Sequence, residues 1–350
     1  MLEQEYHAHG RRCVLAIAVG ASLTLVAAFF FTTLGMKDAG ALQTVDAVAR
    51  YFDGTIDGGA DAAMNKIILL LRLPRVLLAL IAGAGLALAG ALMQSVTRNA
   101  LVSPFTLGIS AAAALGASLS IVLGAGTALD SNLGIISAAF LLSCLCGVIV
   151  YGIAQRAGLN PTSIVLVGIA LNYFFSALTA TLEFFAQEHK LAAVIQWTFG
   201  SLHRASWEYV AIGGVVVALG LIAALFYALP LNVMAVSDDE TARSLGVNPA
   251  RLRTIAGLIA VFMTATIISF TGVIGFVGLI APHMARFLIG TDHRFYLPFT
   301  ALLGAALLLV SDTVGKLILY PVTIPVGIVI SFFGVPLFIH LILRRGRSFE

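Results

Sequence analysis

Nine long apolar blocks divide this chain, and the short segments between them hold nearly all of its charge. The blocks run Cys13–Leu34, Ile67–Met93, Leu101–Ala125, Leu133–Ala154 and Thr162–Ala186. Tyr209–Leu229, Thr254–Ile289, Phe295–Ser311 and Val322–Leu343 follow. A bilayer is crossed by a helix of roughly 20 apolar residues, and eight of the blocks fit one crossing each. The seventh has 36 residues. As one straight helix it would reach ~54 Å at ~1.5 Å per residue, against a hydrocarbon core of ~30 Å. Thr271-Gly272, Gly275, Gly278 and Pro282 offer places to break it, so the pattern predicts ten transmembrane helices.

Composition narrows the class. Of 350 residues, 60% are hydrophobic and 11% charged, with a mean hydropathy of +1.01. Soluble domains run at about 45–50% apolar and about 25% charged. That excess is too large for a water-soluble core and excludes soluble enzymes, disordered tails and nucleic-acid binders. The expected fold class is all-α integral membrane, one transmembrane domain over residues 1–350.

The formal net charge is only +3, so placement matters more than the sum. Arg11 and Arg12 precede the first block, and Arg344, Arg345 and Arg347 follow the last. Positive flanks prefer the cytoplasm, so both termini are expected inside, with residues 1–12 as a cytoplasmic N-terminus. Threading ten spans then puts 12 of the 20 Lys and Arg inside and 8 outside. The first block is too long for a signal-peptide core and lacks a small-x-small cleavage site, so it reads as an uncleaved span. Residues 35–66, with five aspartates, read as a solvated outer loop with some helix. Trp197, Trp207 and Tyr209 read as interfacial anchors of the sixth block. The small residues of Ala82-Gly83-Ala84-Gly85 would let helix backbones approach closely.

The connection from Pro230 to Arg253 is the most informative stretch. Ser237 with Glu240 three residues on is a capping-box pattern, predicting a helix after Ser237. Asp238, Asp239 and Glu240 would fill its first turn and Arg243 its end, both favourable to the helix dipole. Gly246 suits the left-handed position past the C-terminus. Asn248-Pro249 starts a second helix. Two capped helices over residues 235–250 suggest a surface for a cytoplasmic partner.

Other charged groups leave alternatives open. Arg72 and Arg75, around Pro74 at an expected helix start, are either snorkelling anchors or a cationic patch for an acidic partner outside. Asp312 and Lys316 have the favourable i,i+4 spacing, acid first, and lie nearest a span interior. Asn172 is polar within the fifth block, where hydrogen bonding between helices would account for it. The three cysteines lie in apolar runs and indicate no disulfide framework. There is no phosphate loop, no paired catalytic residues at one depth and no metal-ligand cluster. No chain of acids crosses the membrane, which weakens an ion-driven secondary transporter. No catalytic site, resident metal or cofactor is expected on this chain.

Several stretches together resemble the iron-chelate and cobalamin permeases, the FecCD family of type II ABC importer permeases. They include Arg72-Leu-Pro-Arg75, Gly83-Ala-Gly85 through Gly90, and Gln94 through Thr97-Arg98-Asn99 to Pro104 and Leu107-Gly108. Glu240-Thr-Ala-Arg-Ser-Leu-Gly246, Gly275-Phe-Val-Gly278 through Pro282-His283, Asp292-His293-Arg294 and Ile324-Pro325-Val-Gly327 complete the set. The likeness covers residues 67 to 345. It implies ten helices per subunit, a multi-pass protein of the bacterial inner membrane, and a pathway at the interface of two permease subunits; a separate 350-residue chain, not a fused double-length one, points to a homodimer. It also implies two cytoplasmic ATPase subunits that carry ATP and Mg, and an extracytoplasmic substrate-binding protein.

By position, Arg72, Arg75 and Lys316 would dock that binding protein. Ser237, Asp238, Asp239, Glu240, Thr241, Ala242, Arg243, Ser244, Leu245 and Gly246 would couple to the ATPase. Asn160, Pro161 and Thr162 fall at the cytoplasmic gate, and Asn172 on the helix lining the pathway. A ferric siderophore is the first choice of cargo, heme the second and cobalamin the third. Faint echoes of an inverted repeat appear around Leu107-Gly108 and Gly272–Gly278.

Overall fold

A computed structural model describes residues 2–34, 41–52, 62–124 and 126–346. Among these residues the fold is helical throughout, with no strand. The first helices are α1 (Leu2–Thr33), α2 (Ala41–Phe52), α3 (Ala62–Lys66) and, after a π turn at Ile67–Arg72, α4 (Leu73–Thr97). The next are α5 (Ile109–Leu123), α6 (Asn132–Arg156), α7 (Pro161–Phe185), α8 (Glu188–Thr198) and α9 (Trp207–Phe226). Short helices α10 (Ala228–Val236) and α11 (Asp239–Ser244) lead to α12 (Pro249–Thr271), α13 (Val277–Ile289), α14 (His293–Leu317) and α15 (Val326–Gly346).

Helices lie at all ten expected positions. Seven described segments are long and apolar enough to cross a membrane: Ala8–Thr33, Ala62–Thr97, α6, α7, α9, α12 and α14. Three shorter apolar helices, α5, α13 and Val326–Pro336 of α15, occupy the others.

The seventh block breaks where its glycines allow. α12 stops at Gly272, whose φ of +72° suits a residue without a Cβ, and the chain turns before restarting as α13. The third block departs from expectation, because residues 98–108 are not helical. Pro104 has no N–H to give, Gly108 sits at φ +80°, and the Ser103 and Thr106 hydroxyls bond the turn's own backbone. Local bonds of this kind compete with a helix ladder. α5 is therefore 15 residues long.

Arg72-Leu-Pro-Arg75 is not a helix start. The helical path runs unbroken from Ala62, and the π turn lies directly ahead of Pro74. The Leu73 N–H reaches back five residues to the Ile68 carbonyl. This wider turn relieves the clash that a proline ring makes with the carbonyl four residues earlier.

α4 is the centre of the bundle, buried along nearly its whole length. Close backbone approach makes this possible. A Cβ on Gly83 would collide with the Gly304 carbonyl of α14, and one on Gly90 with the Gly278 carbonyl of α13. In lipid, where apolar contact alone drives little association, such small-residue crossings hold helices together. α1 is the opposite case, with little of its apolar surface buried.

One expected anchor is misplaced. Trp197 is only 7% exposed and packs in an interior cluster, because α8 folds back against the break at Gly272. Trp207 fits the interfacial reading better, half-exposed with its indole N–H on the Leu69 carbonyl at 3.0 Å. Tyr209 stacks on Phe270 with ring centroids 4.7 Å apart. Of the outer-loop acids, Asp46 pairs with Arg50 at 2.7 Å. Asp38, Asp53, Asp57 and Asp61 lie outside the described residues.

Candidate coupling, docking and pathway sites

One end of the bundle carries α10, α11 and the starts of α7, α12 and α14. Ser237 does not cap α11. Its hydroxyl donates back to the Val233 carbonyl at 2.6 Å, closing α10 instead. Asp238 is the N-cap, its Oδ1 accepting the Thr241 N–H at 2.8 Å. A carboxylate there meets both an orphan donor and the positive end of the dipole, and those hydrogen bonds hold Asp238 below the usual carboxylate range. Gly246 adopts φ +84° as expected. Asn248 caps α12 on the Arg251 N–H at 3.0 Å, with Pro249 in its first turn.

The ten expected coupling residues sort by burial. Ala242 is fully buried and seats the helix. Glu240, Thr241, Arg243, Ser244, Leu245 and Gly246 are exposed, with the Leu245 side chain bare of cover. Val236, 87% exposed, flanks it. Asp239 points the other way. Arg253 of α12, 2% exposed, grips it with Nη1 at 2.6 Å and Nη2 at 2.7 Å, and Arg98 adds a contact at 3.1 Å. The Arg253 hydrogen bonds, despite the cost of burial, hold Asp239 below its usual range.

A second network lies at the same end. Asn232 of α10 donates to Asp292 at 2.9 Å. Its Oδ1 lies 2.7 Å from the His293 ring, whose other nitrogen meets the Ser95 hydroxyl at 2.7 Å. Burial would raise the Asp292 pKa, but hydrogen bonds from Arg294 and Asn232 and the Arg294 charge override it and hold it at about 2. An aspartate unfolded at ~3.9 and folded at this lower value adds stability above its unfolded pKa and loses it as pH falls through the folded one. Asp292→Asn should therefore flatten the acid limb of a plot of melting temperature against pH between roughly pH 4 and 2. Superimposable limbs for the variant and the parent would contradict this sign.

The three expected gate residues sit together at the start of α7, and Asn172, expected on the pathway-lining helix, lies well along it. Asn160 caps α7, accepting the Ser163 N–H at 2.7 Å, with Pro161 in the first turn and Thr162 exposed. Asn172 lies about 18 Å further along α7, where its backbone touches Gly108.

The opposite end brings the three expected docking residues together. Arg72, Arg75 and Lys316 line one concavity of about 220 Å³ with Tyr320 and Phe31. Each also has an inward partner. Arg72 donates to the Thr32 and Leu34 carbonyls at 3.2 and 2.7 Å. Arg75 holds Asp312, which is 2% exposed, through Nε at 3.1 Å and Nη2 at 2.8 Å, and Lys316 reaches the same carboxylate at 2.6 Å. Nη1 of Arg75 meets His203 Nδ1 at 3.0 Å. Arginine can only donate, so this nitrogen accepts. The Asp312–Lys316 spacing was legible. The link to Arg75 and His203 was not.

A further feature has only a faint sequence signal. A largely apolar cavity of about 760 Å³ lies between the two non-helical segments, 103–106 and 273–276, with α15 as its third wall. Phe105, Phe199, Phe276 and Phe332 line it among others. Phe276 adopts φ +63°, ψ −33°, a costly backbone for a bulky residue. Non-helical backbone at membrane depth is tolerated where protein covers it or a cavity is lined. The signal was the repeat echo at Leu107-Gly108 and Gly272–Gly278, which mark these two breaks.

The FecCD transport family model matches residues 23–344. An ABC transporter permease protein of Methanocaldococcus jannaschii is 42% identical over 289 residues, spanning 80% of this chain and 82% of that protein. The hemin transport system permease protein of Yersinia pestis is 37% identical, spanning 81% and 85%. The iron(3+)-hydroxamate import system permease protein of Bacillus subtilis is 36% identical, spanning 95% and 98%. A solved structure, an inward-facing conformation of a metal-chelate type ABC transporter, matches with a TM-score of 0.82 at 29% identity, over 94% of this chain and 98% of that one.

Proposed function

Because the chain belongs to the FecCD transport family, we propose that it is the membrane permease of an ATP-driven importer that carries a ferric siderophore. Heme and then cobalamin are the next choices of cargo. The hemin and iron(3+)-hydroxamate relatives support the iron-chelate class. The permease pairs with a second copy, two cytoplasmic ATPase subunits that bind ATP and Mg, and a binding protein outside. It performs no covalent chemistry and supplies a structure with two arrangements that ATP binding by its partner selects between.

The observation that carries this reading is α11. A six-residue helix capped at both ends, exposed on one face and held by Asp239 on the other, suits a handle better than a connector. An exposed apolar residue such as Leu245, rimmed by charge, marks an interaction surface. At the opposite end, Arg72, Arg75 and Lys316 present three cations around one concavity, matching an acidic docking partner. The cavity between the two breaks supplies an apolar wall for the pathway, as broken helices do in other transporters.

Proteoliposomes holding the permease and its ATPase, supplied with the binding protein, test the reading. Uptake of ⁵⁵Fe-loaded hydroxamate siderophore is expected only with ATP, and collapse of proton and sodium gradients should leave it unchanged. Uptake driven by an ion gradient with no ATPase present would replace this reading with a secondary transporter.

A further inference from the structure

The Asp239 carboxylate is the meeting point of five chain segments, and its two arginines do more than neutralise it. Arg253 also donates from Nε to the Val96 carbonyl at 3.1 Å and from Nη1 to the Leu159 carbonyl at 3.4 Å. Arg98, the left-handed C-cap of α4, donates from Nε to the Met234 carbonyl of α10 at 2.8 Å. One acid on α11 is thus tied through two guanidiniums to the last turn of α4, to α10, to α12 and to the turn before α7. Leu159 is itself buried and holds a positive φ of +49°, immediately before the Asn160 cap that begins α7.

Charge alone does not require this arrangement. An exposed acid on a surface helix could face water at little cost, and a buried Arg–Asp pair rarely adds net stability over an apolar substitute. What such a pair does provide is fixed geometry, because a bidentate guanidinium–carboxylate contact specifies direction as well as distance. The contact joins the handle to the turn that sets the start of α7.

We propose that Asp239, Arg253 and Arg98 are positioning residues that transmit movement of α11 to the Leu159–Pro161 turn. This rests on the reading of α11 as the ATPase-coupling helix. Displacing α11 drags Asp239; Arg253 follows it, and the Leu159 carbonyl bonded to Arg253 moves the first turn of α7. Without the carboxylate, α11 still offers Leu245 and Arg243 to the ATPase, but the turn no longer follows.

The test measures ⁵⁵Fe-siderophore uptake and ATP hydrolysis in the same proteoliposomes, with the full complex and its binding protein. Their ratio is the readout, since loss of folded permease lowers both and leaves it unmoved. Asp239→Asn is expected to lower uptake per ATP about tenfold, within the roughly 5–150-fold range of such couplings, with Asp239→Glu restoring part of it. Arg156→Gln, exposed at the same end, should match the parent. If Asp239→Asn does not fold, Asp239→Glu decides the matter, because it keeps the charge facing Arg253 but lengthens the arm through which α11 pulls on it, and should still give a ratio below the parent's. A parental ratio in either folded variant overturns the linkage while leaving the coupling helix standing. Failure of the ATPase to bind even the parent permease overturns the coupling reading itself, and the linkage with it.

Discussion

Leu245→Asp should abolish ATP-dependent uptake by releasing the ATPase while leaving the permease folded. Leu245 is 63% exposed at the end of α11, and a Cβ built on the neighbouring Gly246 would meet nothing within 4 Å. Surface changes of this kind usually stay within ~0.5 kcal/mol of the parent stability. At a protein interface the same position changes character. An apolar anchor that fills a partner pocket costs about 2 kcal/mol or more when lost, and a carboxylate forced into that pocket is worse. The expected result is at least ~30-fold weaker binding of the ATPase to detergent-solubilised permease, with an unchanged melting temperature. Unaltered binding would remove Leu245 from the interface. Ala242→Asp should fail differently, since Ala242 is fully buried and its loss unseats α11 from the bundle.

Arg75→Glu carries the second large effect, and the structure changes what it means. Considered only as a docking cation, Arg75 invites reversal of its charge to repel the binding protein. In the fold it is bonded through both Nε and Nη2 to Asp312, a carboxylate 2% exposed and shared with Lys316. Breaking a buried pair from one side costs about 3–5 kcal/mol, and here a second carboxylate would face the first. Against a total stability of about 5–15 kcal/mol, the variant should yield little monodisperse protein on size exclusion. The paired change Arg75→Gln with Asp312→Asn removes both charges and should recover most of the folded yield. A stable Arg75→Glu permease would show that Lys316 alone satisfies Asp312. Lost transport in a charge-reversed Arg75 variant is therefore no measure of docking unless folded protein is counted first.

Local chemistry was legible and distant partners were not. The break at Gly272, the left-handed Gly246 and the Asn248-Pro249 start each depend on residues within a turn of themselves, and each was readable. Ser237 and Asp238 are adjacent candidate caps, and the choice between them depends on where α10 ends. Two non-helical stretches sit within apolar sequence, and only the one in the over-long seventh block betrayed itself by length. Leu101–Gly108 is as apolar as a span, and Pro104 alone is weak evidence against helix in a membrane. Arg75 and Asp312 are 237 positions apart, and no spacing rule connects them. Arg253 lies 14 residues from Asp239, beyond the three or four that helical periodicity relates. Trp197 reads as an interfacial residue by type, and only the fold of α8 over the α12 break turns it inward.

The burial of α4 has one more consequence. Arg75 lies in its first turn and Arg98 is its C-cap, so one helix reaches both charged ends of the molecule, separated by about 35 Å of rise. It works as a beam. A tilt of roughly 5° about its midpoint displaces each end by about 1.5 Å, in opposite directions. The glycines that let α13 and α14 press against its backbone hold it closely along its length. The Asp312 concavity and the Asp239 clamp are therefore anchored on one and the same buried helix.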